Sequence, residues 1–80
     1  MTKLPSISYN ELIKTLKSAG FEYAPKRGKG SHIALVKIEK ERTLLVIIPR
    51  KKIIPKVTLN AILQQAGLTR DEFLSLLKAK

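Results

Sequence analysis

The sequence predicts an α+β domain in which helices cover one face of a three-stranded antiparallel sheet. Three observations support this fold class. A helical pattern comes first, two strand-like runs separated by a short polar turn follow, and two further helical patterns end the chain. Contiguous strands that do not alternate with helices favour an antiparallel sheet with the helices on one side. The other face of the sheet is then expected to be open to a ligand.

The first helix is predicted from about Tyr9 to Ala19. Ser8 and Glu11 have the spacing of a capping box, in which each side chain accepts a hydrogen bond from the backbone amide of the other residue. Apolar residues follow at helical spacing. Gly20 is placed to end the helix in a left-handed conformation.

Three strands are predicted between residues 21 and 49. Residues 21–24 (FEYA) alternate apolar and polar side chains, as a short strand does. Residues 31–39 (SHIALVKIE) and 43–49 (TLLVIIP) are rich in aliphatic side chains and are separated by a short polar turn, which predicts a hairpin. The even-numbered side chains of the first of these strands, including His32, are expected on one face and the odd-numbered ones on the other.

A basic connection, residues 50–56 (RKKIIPK), leads from the third strand to a second helix. We expect Thr58 to cap this helix, which would run from Leu59 and end at Gly67. Thr69, three residues before Glu72, predicts another capping box that opens a short C-terminal helix.

Composition restricts the class of protein further. Hydrophobic residues make up 44% of the 80-residue chain and cysteine is absent, so we expect a globular fold without disulfides or thiolate metal sites. No apolar run approaches the ~18 residues of a membrane span, and the N-terminus lacks the apolar core of a signal peptide. Without a linker or repeat, residues 1–80 are predicted to form a single cytoplasmic domain.

Charge points to a polyanionic partner. Lysine and arginine number 16 against 6 acids, for a net charge of +10. The cations are segregated from the acids in two segments, which predicts a basic face and argues against an anionic membrane surface, since neither segment is an amphipathic helix. A lysine-rich surface that serves only solubility is the alternative. The candidate phosphate contacts are Lys26, Arg27 and Lys29 in the first segment and Arg50, Lys51, Lys52 and Lys56 in the second.

His32 is the one histidine of the chain, and a histidine can both accept and donate a proton near neutral pH. It follows the glycine-containing stretch RGKGS (27–31), whose spacing does not match the phosphate-binding loop of nucleotide hydrolases. A single histidine and no cysteine also exclude a His-based zinc site. His32 is therefore either a catalytic proton acceptor or a structural residue at the start of a strand.

Ribonuclease chemistry fits these residue types. RNA carries its own nucleophile, the 2′-hydroxyl, so the enzyme needs a base for that hydroxyl, cations for the phosphorane and a proton for the leaving 5′-oxygen. His32 with Lys29 and the neighbouring cations can supply the first two, and Gly30 lets the backbone approach a phosphate closely. No cofactor or metal is needed.

Longer stretches resemble a known family. ELIKTLKSAGFE (11–22), KGSHIAL (29–35), VIIP (46–49) and IPKVTLNAILQQAGLTRDEFLSLL (54–77) resemble, in sequence and spacing, the HicA family of bacterial and archaeal toxins. The G-S-H triplet before a strand and the T-L-x-x-I-L-x-Q-A-G-L block are the most specific parts. The resemblance implies an αβββα fold like that of double-stranded-RNA-binding domains, with a short extra C-terminal helix. It also implies that His32 is catalytic, with Gly30 and Ser31 completing its motif.

The function implied is that of a toxin of a type II toxin–antitoxin system, a metal-independent endoribonuclease (an mRNA interferase) that cleaves mRNA with the histidine as general base or acid. A HicB-type antitoxin is expected to cover His32, with the toxin monomeric when free and part of a hetero-oligomer when bound. Val57 stands where family members commonly have glycine, and the cations at 50–52 replace a histidine or small polar residue, which suggests a firmer hold on phosphate. A non-catalytic RNA-binding module and a purely protein-binding role are the alternatives.

Overall fold

The computed structural model of the protein describes residues 4–24 and 32–78. The elements follow the order α1 (Tyr9–Ser18), β1 (Glu22–Tyr23), β2 (His32–Ile38), β3 (Thr43–Pro49), α2 (Lys56–Ala66) and α3 (Arg70–Lys78). The three strands form one antiparallel sheet in the order β1-β2-β3. The predicted α+β class, with a three-stranded antiparallel sheet and a C-terminal helix, is confirmed.

Helix α1 has the predicted start and ends one residue earlier than predicted. The hydroxyl of Ser8 accepts a hydrogen bond of 3.2 Å from the amide of Glu11, as a helix cap does. At the other end Gly20 has a φ of +103°, a conformation that favours glycine. The amides of Gly20 and Phe21 donate to carbonyls in the last turn at 3.0 and 3.1 Å, which ends the helix and directs the chain into β1.

The register of the hairpin divides its side chains between two faces, as the alternation predicts. Leu35 lies opposite Val46 and Ile33 opposite Ile48, and these side chains turn toward the helices. Strands β2 and β3 and all three helices contribute to one core. Its most deeply buried side chains are Ile7, Leu12, Leu16, Phe21, Leu35, Val46, Ile48, Ile54, Leu59, Ile62, Leu63 and Phe73. The even-numbered face of β2, which begins with His32, is the face turned away from this core.

The start of α2 differs from the prediction. The helix begins at Lys56 and not at Leu59, with Pro55 at the N-cap, so Thr58 is its third residue and not its cap. Pro55 makes no side-chain capping bond. The prediction was wrong because proline, with its fixed φ and no backbone N–H, suits the entrance of a helix without a polar side chain there.

The ends of the last two helices agree with the sequence. Gly67 ends α2 with a φ of +70°. In the predicted capping box of α3, the amide of Glu72 donates to the Thr69 hydroxyl at 3.1 Å, and the amide of Thr69 donates to the Glu72 carboxylate at 2.8 Å. No helix in the described part of the chain is long and apolar enough to cross a lipid bilayer.

Candidate functional site

His32 lies at the end of the β2–β3 hairpin where the basic connection begins. It is the first residue of β2 and pairs with Pro49, the last residue of β3. Its side chain is exposed. Because Ile33 next to it belongs to the core face, His32 is on the opposite face of the sheet. The hairpin register thus brings the histidine opposite Pro49, the residue before Arg50, although His32 and Arg50 are distant in sequence.

A depression of about 620 Å³ surrounds this position, lined by His32, Ile47, Pro49, Arg50, Lys51 and Thr58. Among the residues that the structure describes, those that line it include the cations Arg50 and Lys51 and no carboxylate. Such a surface attracts anionic groups and offers them charge-assisted hydrogen bonds. Among residues 4–24 and 32–78, no group of three or more His, Cys, Asp or Glu side chains is placed to hold a metal ion.

Backbone hydrogen bonds hold the basic connection against the rest of the fold. The amide of Lys51 donates to the carbonyl of Pro49 at 2.9 Å, which forms a tight turn centred on Arg50. The carbonyl of Lys51 in turn accepts from the amide of Tyr9 at 3.2 Å, and the amide of Ile54 donates to Ile7 at 2.8 Å. Ile54 is only 1% exposed, so the connection is attached to the rest of the fold on both sides of Lys52.

Comparison with protein families gives a match that covers helices α1 and α2, the sheet and the depression. The family model described as the HicA toxin of bacterial toxin–antitoxin systems matches residues 9–68, three quarters of the chain. The chain belongs to the HicA toxin family. It is therefore a toxin of a toxin–antitoxin system, and its partner is an antitoxin. Comparison with curated proteins gives no match to this sequence.

The candidate site of this HicA-family toxin lies within the residues that the family model matches. Residues 9–68 begin with the first residue of α1 and end just after α2, so they include His32, the hairpin and the basic connection. Helix α3 follows the matched region. The resemblance seen in the sequence is confirmed at the level of the family.

The predicted site residues of the HicA-family toxin divide into three groups. Arg50 and Lys51 line the depression with His32. Lys52 and Lys56 are exposed in the same connection but do not line the depression, and Lys56 is the first residue of α2. The remaining predicted residues, Lys26, Arg27, Lys29, Gly30 and Ser31, lie in 25–31, outside the described residues.

The structure adds three residues that the sequence analysis did not assign to the site. Ile47 and Pro49 line the depression from the end of β3, and Thr58 lines it from the first turn of α2. One sequence signal for Thr58 was available. A helix that begins after Pro55 places residue 58 in its first turn and not at its cap.

Proposed function

We propose that this toxin is an endoribonuclease that cleaves mRNA with His32 as the general base. The observation that carries the proposal is the shared depression, which an exposed histidine lines together with Arg50 and Lys51. Membership of the HicA toxin family supports it, because a toxin acts on an essential target of the cell.

The proposed reaction uses the substrate's own hydroxyl as the nucleophile. His32 takes the proton of the ribose 2′-hydroxyl, and the 2′-oxygen attacks the adjacent phosphorus. The bond from phosphorus to the 5′-oxygen then breaks, and that oxygen leaves with the electron pair and takes up a proton from a neighbouring donor or from water. The products are a 2′,3′-cyclic phosphate and a 5′-hydroxyl.

Arg50 and Lys51 have a separate role in this reaction. The phosphorane carries more negative charge on its non-bridging oxygens than the ground-state phosphate does, so fixed cations beside it lower the barrier. The turn at Arg50 and the hydrogen bond to the carbonyl of Lys51 hold the backbone of these two residues in place before substrate binds. In this role the cations meet the electrostatic demand of the reaction without a metal ion.

We also infer that the partner is a HicB-type antitoxin that covers His32. Two aliphatic side chains of the segment from β3 to α2 face solvent, Ile53 at 59% exposure and Val57 at 83%. Lys52 and Lys56 immediately precede them in sequence. RNA phosphates gain little from exposed aliphatic groups, whereas an acidic protein that binds here buries them and pairs with the lysines. Such a partner would close the depression from the side of the basic connection.

The decisive test compares the wild-type protein with His32→Ala on an RNA oligonucleotide. The variant should cleave about 10²–10⁴-fold more slowly, since it retains the cations but lacks the base. Circular dichroism should show the same fold for both proteins, because His32 is exposed and lies outside the core. The wild-type products should carry a 2′,3′-cyclic phosphate.

Two results would contradict the proposal. A folded His32→Ala protein that cleaves at the wild-type rate rules out the histidine as the base. Activity that disappears with EDTA and returns with a divalent cation rules out the metal-independent reaction. Binding of RNA without any cleavage by the wild type would favour the non-catalytic module instead.

A further inference from the structure

We propose that the hydroxyl of Thr58 binds the substrate, donating a hydrogen bond to a non-bridging oxygen of the phosphate at the cleaved bond. This inference rests on the ribonuclease function proposed above. Thr58 lines the same depression as His32, Arg50 and Lys51, although it comes from a different element of the fold.

The hydroxyl of Thr58 differs from those of Thr15 in α1 and Thr69 just before α3. Thr15 donates to the carbonyl of Glu11 at 2.8 Å, inside its own helix. Thr69 accepts from the amide of Glu72 in a capping box. The Thr58 hydroxyl has no hydrogen-bond partner within residues 4–24 and 32–78. Half-buried at the wall of the depression, it is available to a ligand there.

The surroundings of Thr58 select an anionic acceptor. Within residues 4–24 and 32–78, the lining of the depression has two cations and no carboxylate, which favours ligands that carry negative charge. A hydrogen bond from a hydroxyl to a charged oxygen is shorter and about twice as strong as one between neutral groups. A phosphate oxygen is the acceptor that an RNA strand presents at such a surface.

The helix holds Thr58 in place before the substrate arrives. The next residue, Leu59, is completely buried, and its amide donates to the carbonyl of Pro55 at 2.8 Å. The β-branched side chain of threonine has few allowed rotamers in a helix, so little side-chain entropy is lost on binding. Thr58 therefore offers a donor at a fixed position relative to the sheet.

The shared depression identifies which phosphate Thr58 contacts. When His32 takes the proton of a 2′-hydroxyl, the phosphate next to that hydroxyl is the one that reacts, and it lies in the same depression. Negative charge on its non-bridging oxygens grows as the phosphorane forms, so the hydrogen bond becomes stronger in the transition state. Loss of the hydroxyl should then lower kcat more than it raises KM, with a smaller loss of affinity for the bound RNA.

The test uses Thr58→Val, Thr58→Ser and the control Thr43→Val, each assayed for RNA cleavage. Thr58→Val keeps the shape of the side chain and should lower kcat about 10- to 100-fold, while Thr58→Ser keeps the hydroxyl and should stay near the wild-type rate. Thr43 is an exposed strand residue paired with Ile38, at the opposite end of the hairpin from His32. Thr43→Val should cleave RNA like the wild type.

A second readout separates binding of the phosphate from a structural role. When sulfur replaces one non-bridging oxygen at the cleaved bond, it accepts hydrogen bonds poorly. One of the two phosphorothioate diastereomers should therefore slow the wild type more than it slows Thr58→Val. Equal slowing of both proteins by both diastereomers would overturn the inference.

The remaining outcomes also decide the question. A wild-type kcat in Thr58→Val, or an equal loss in Thr58→Ser, would overturn the role of the hydroxyl. A folded wild type that binds RNA without cleaving it would overturn the proposed function instead. In that case a weaker affinity of Thr58→Val for the same RNA would support the phosphate contact, and an equal affinity would overturn it.

Discussion

The backbone amide of Tyr9 donates a hydrogen bond of 3.2 Å to the carbonyl oxygen of Lys51. This bond joins the first residue of α1 to the basic connection, next to the depression that holds His32. The amide of Lys51 is itself bonded to Pro49 at the end of β3. The position of Lys51 relative to His32 therefore depends on the first helix as well as on the sheet.

Replacing Tyr9 by proline tests this anchor. Tyr9 is the first residue of α1, where proline fits the helix and where its missing N–H would remove only the bond to Lys51. The preceding residue, Ser8, has an extended backbone that is compatible with a following proline. Relative to Tyr9→Ala, we expect Tyr9→Pro to cleave RNA more slowly. Loss of the hydrogen bond should lower the free energy of unfolding by about 0.5–1.5 kcal/mol. The lower conformational entropy that proline gives the unfolded chain offsets part of this loss.

The alanine variant is the matched control for that measurement, because it loses the partly buried tyrosine side chain but keeps the amide. Urea unfolding gives the stability of both variants, and single-turnover cleavage gives the rate. Equal cleavage by the two variants would show that the site does not depend on the anchor.

Binding of RNA should depend on salt in a way that identifies the phosphate contacts. Removing the charge of Lys51, which lines the depression, should weaken RNA binding and reduce the slope of log affinity against log salt by about 0.7. Lys40→Ala removes an exposed cation from the turn at the other end of the hairpin and should leave the slope nearly unchanged. Fluorescence anisotropy across a salt series measures both, and equal slopes for the two variants would contradict the assignment.

Much of the fold follows from local signals in the sequence. Ser8 and Gly20 bound α1 because a hydroxyl that caps an amide and a residue free to adopt positive φ act within a few residues. The hairpin follows from aliphatic alternation in the same way. The start of α2 was misplaced because two local signals compete there, and the fixed φ of Pro55 prevails over the capping tendency of Thr58.

The site was less predictable, since it depends on contacts between distant segments. Residue types and the family resemblance made His32 and seven cations, with Arg50 and Lys51 among them, candidates for the site. The proximity of His32 to these two cations, however, follows from its pairing with Pro49, and a shift of the strands by one residue would turn the histidine to the other face. Thr58 enters the depression only because α2 packs against β3, which no local pattern specifies.

The turn between β2 and β3 should show a measurable dependence on pH. The pKa of Glu39 lies below its usual value, chiefly because the Arg42 guanidinium donates a hydrogen bond of 2.9 Å to its carboxylate, with a smaller contribution from the Lys37 ammonium group at 3.8 Å. The folded state therefore favours the charged form. The resulting stabilisation is present above the ordinary carboxyl pKa and is lost as the pH falls through the lowered one.

Arg42→Ala is the variant that tests this pair. Carbon NMR titration of the Glu39 carboxyl should show a higher pKa in the variant than in the wild type, with the difference in stability between them disappearing at low pH. An unchanged Glu39 pKa in Arg42→Ala would contradict the role of the guanidinium.

The exposed aliphatic side chains beside the basic connection should distinguish antitoxin binding from RNA binding. Because a valine or isoleucine side chain contributes about 1.5–3 kcal/mol when fully buried, Ile53→Ser and Val57→Ser should each weaken antitoxin binding by roughly 10- to 100-fold if the partner covers them. Both side chains already face solvent, so neither change should unfold the toxin or slow RNA cleavage. Ile38→Ser is the control, since Ile38 is 81% exposed at the far end of the hairpin from His32. Calorimetry measures the affinity for the antitoxin, and assays without the antitoxin measure the rate of RNA cleavage. If Ile53→Ser and Val57→Ser lower both quantities, RNA also binds this surface. If the antitoxin affinity is unchanged, the antitoxin binds elsewhere.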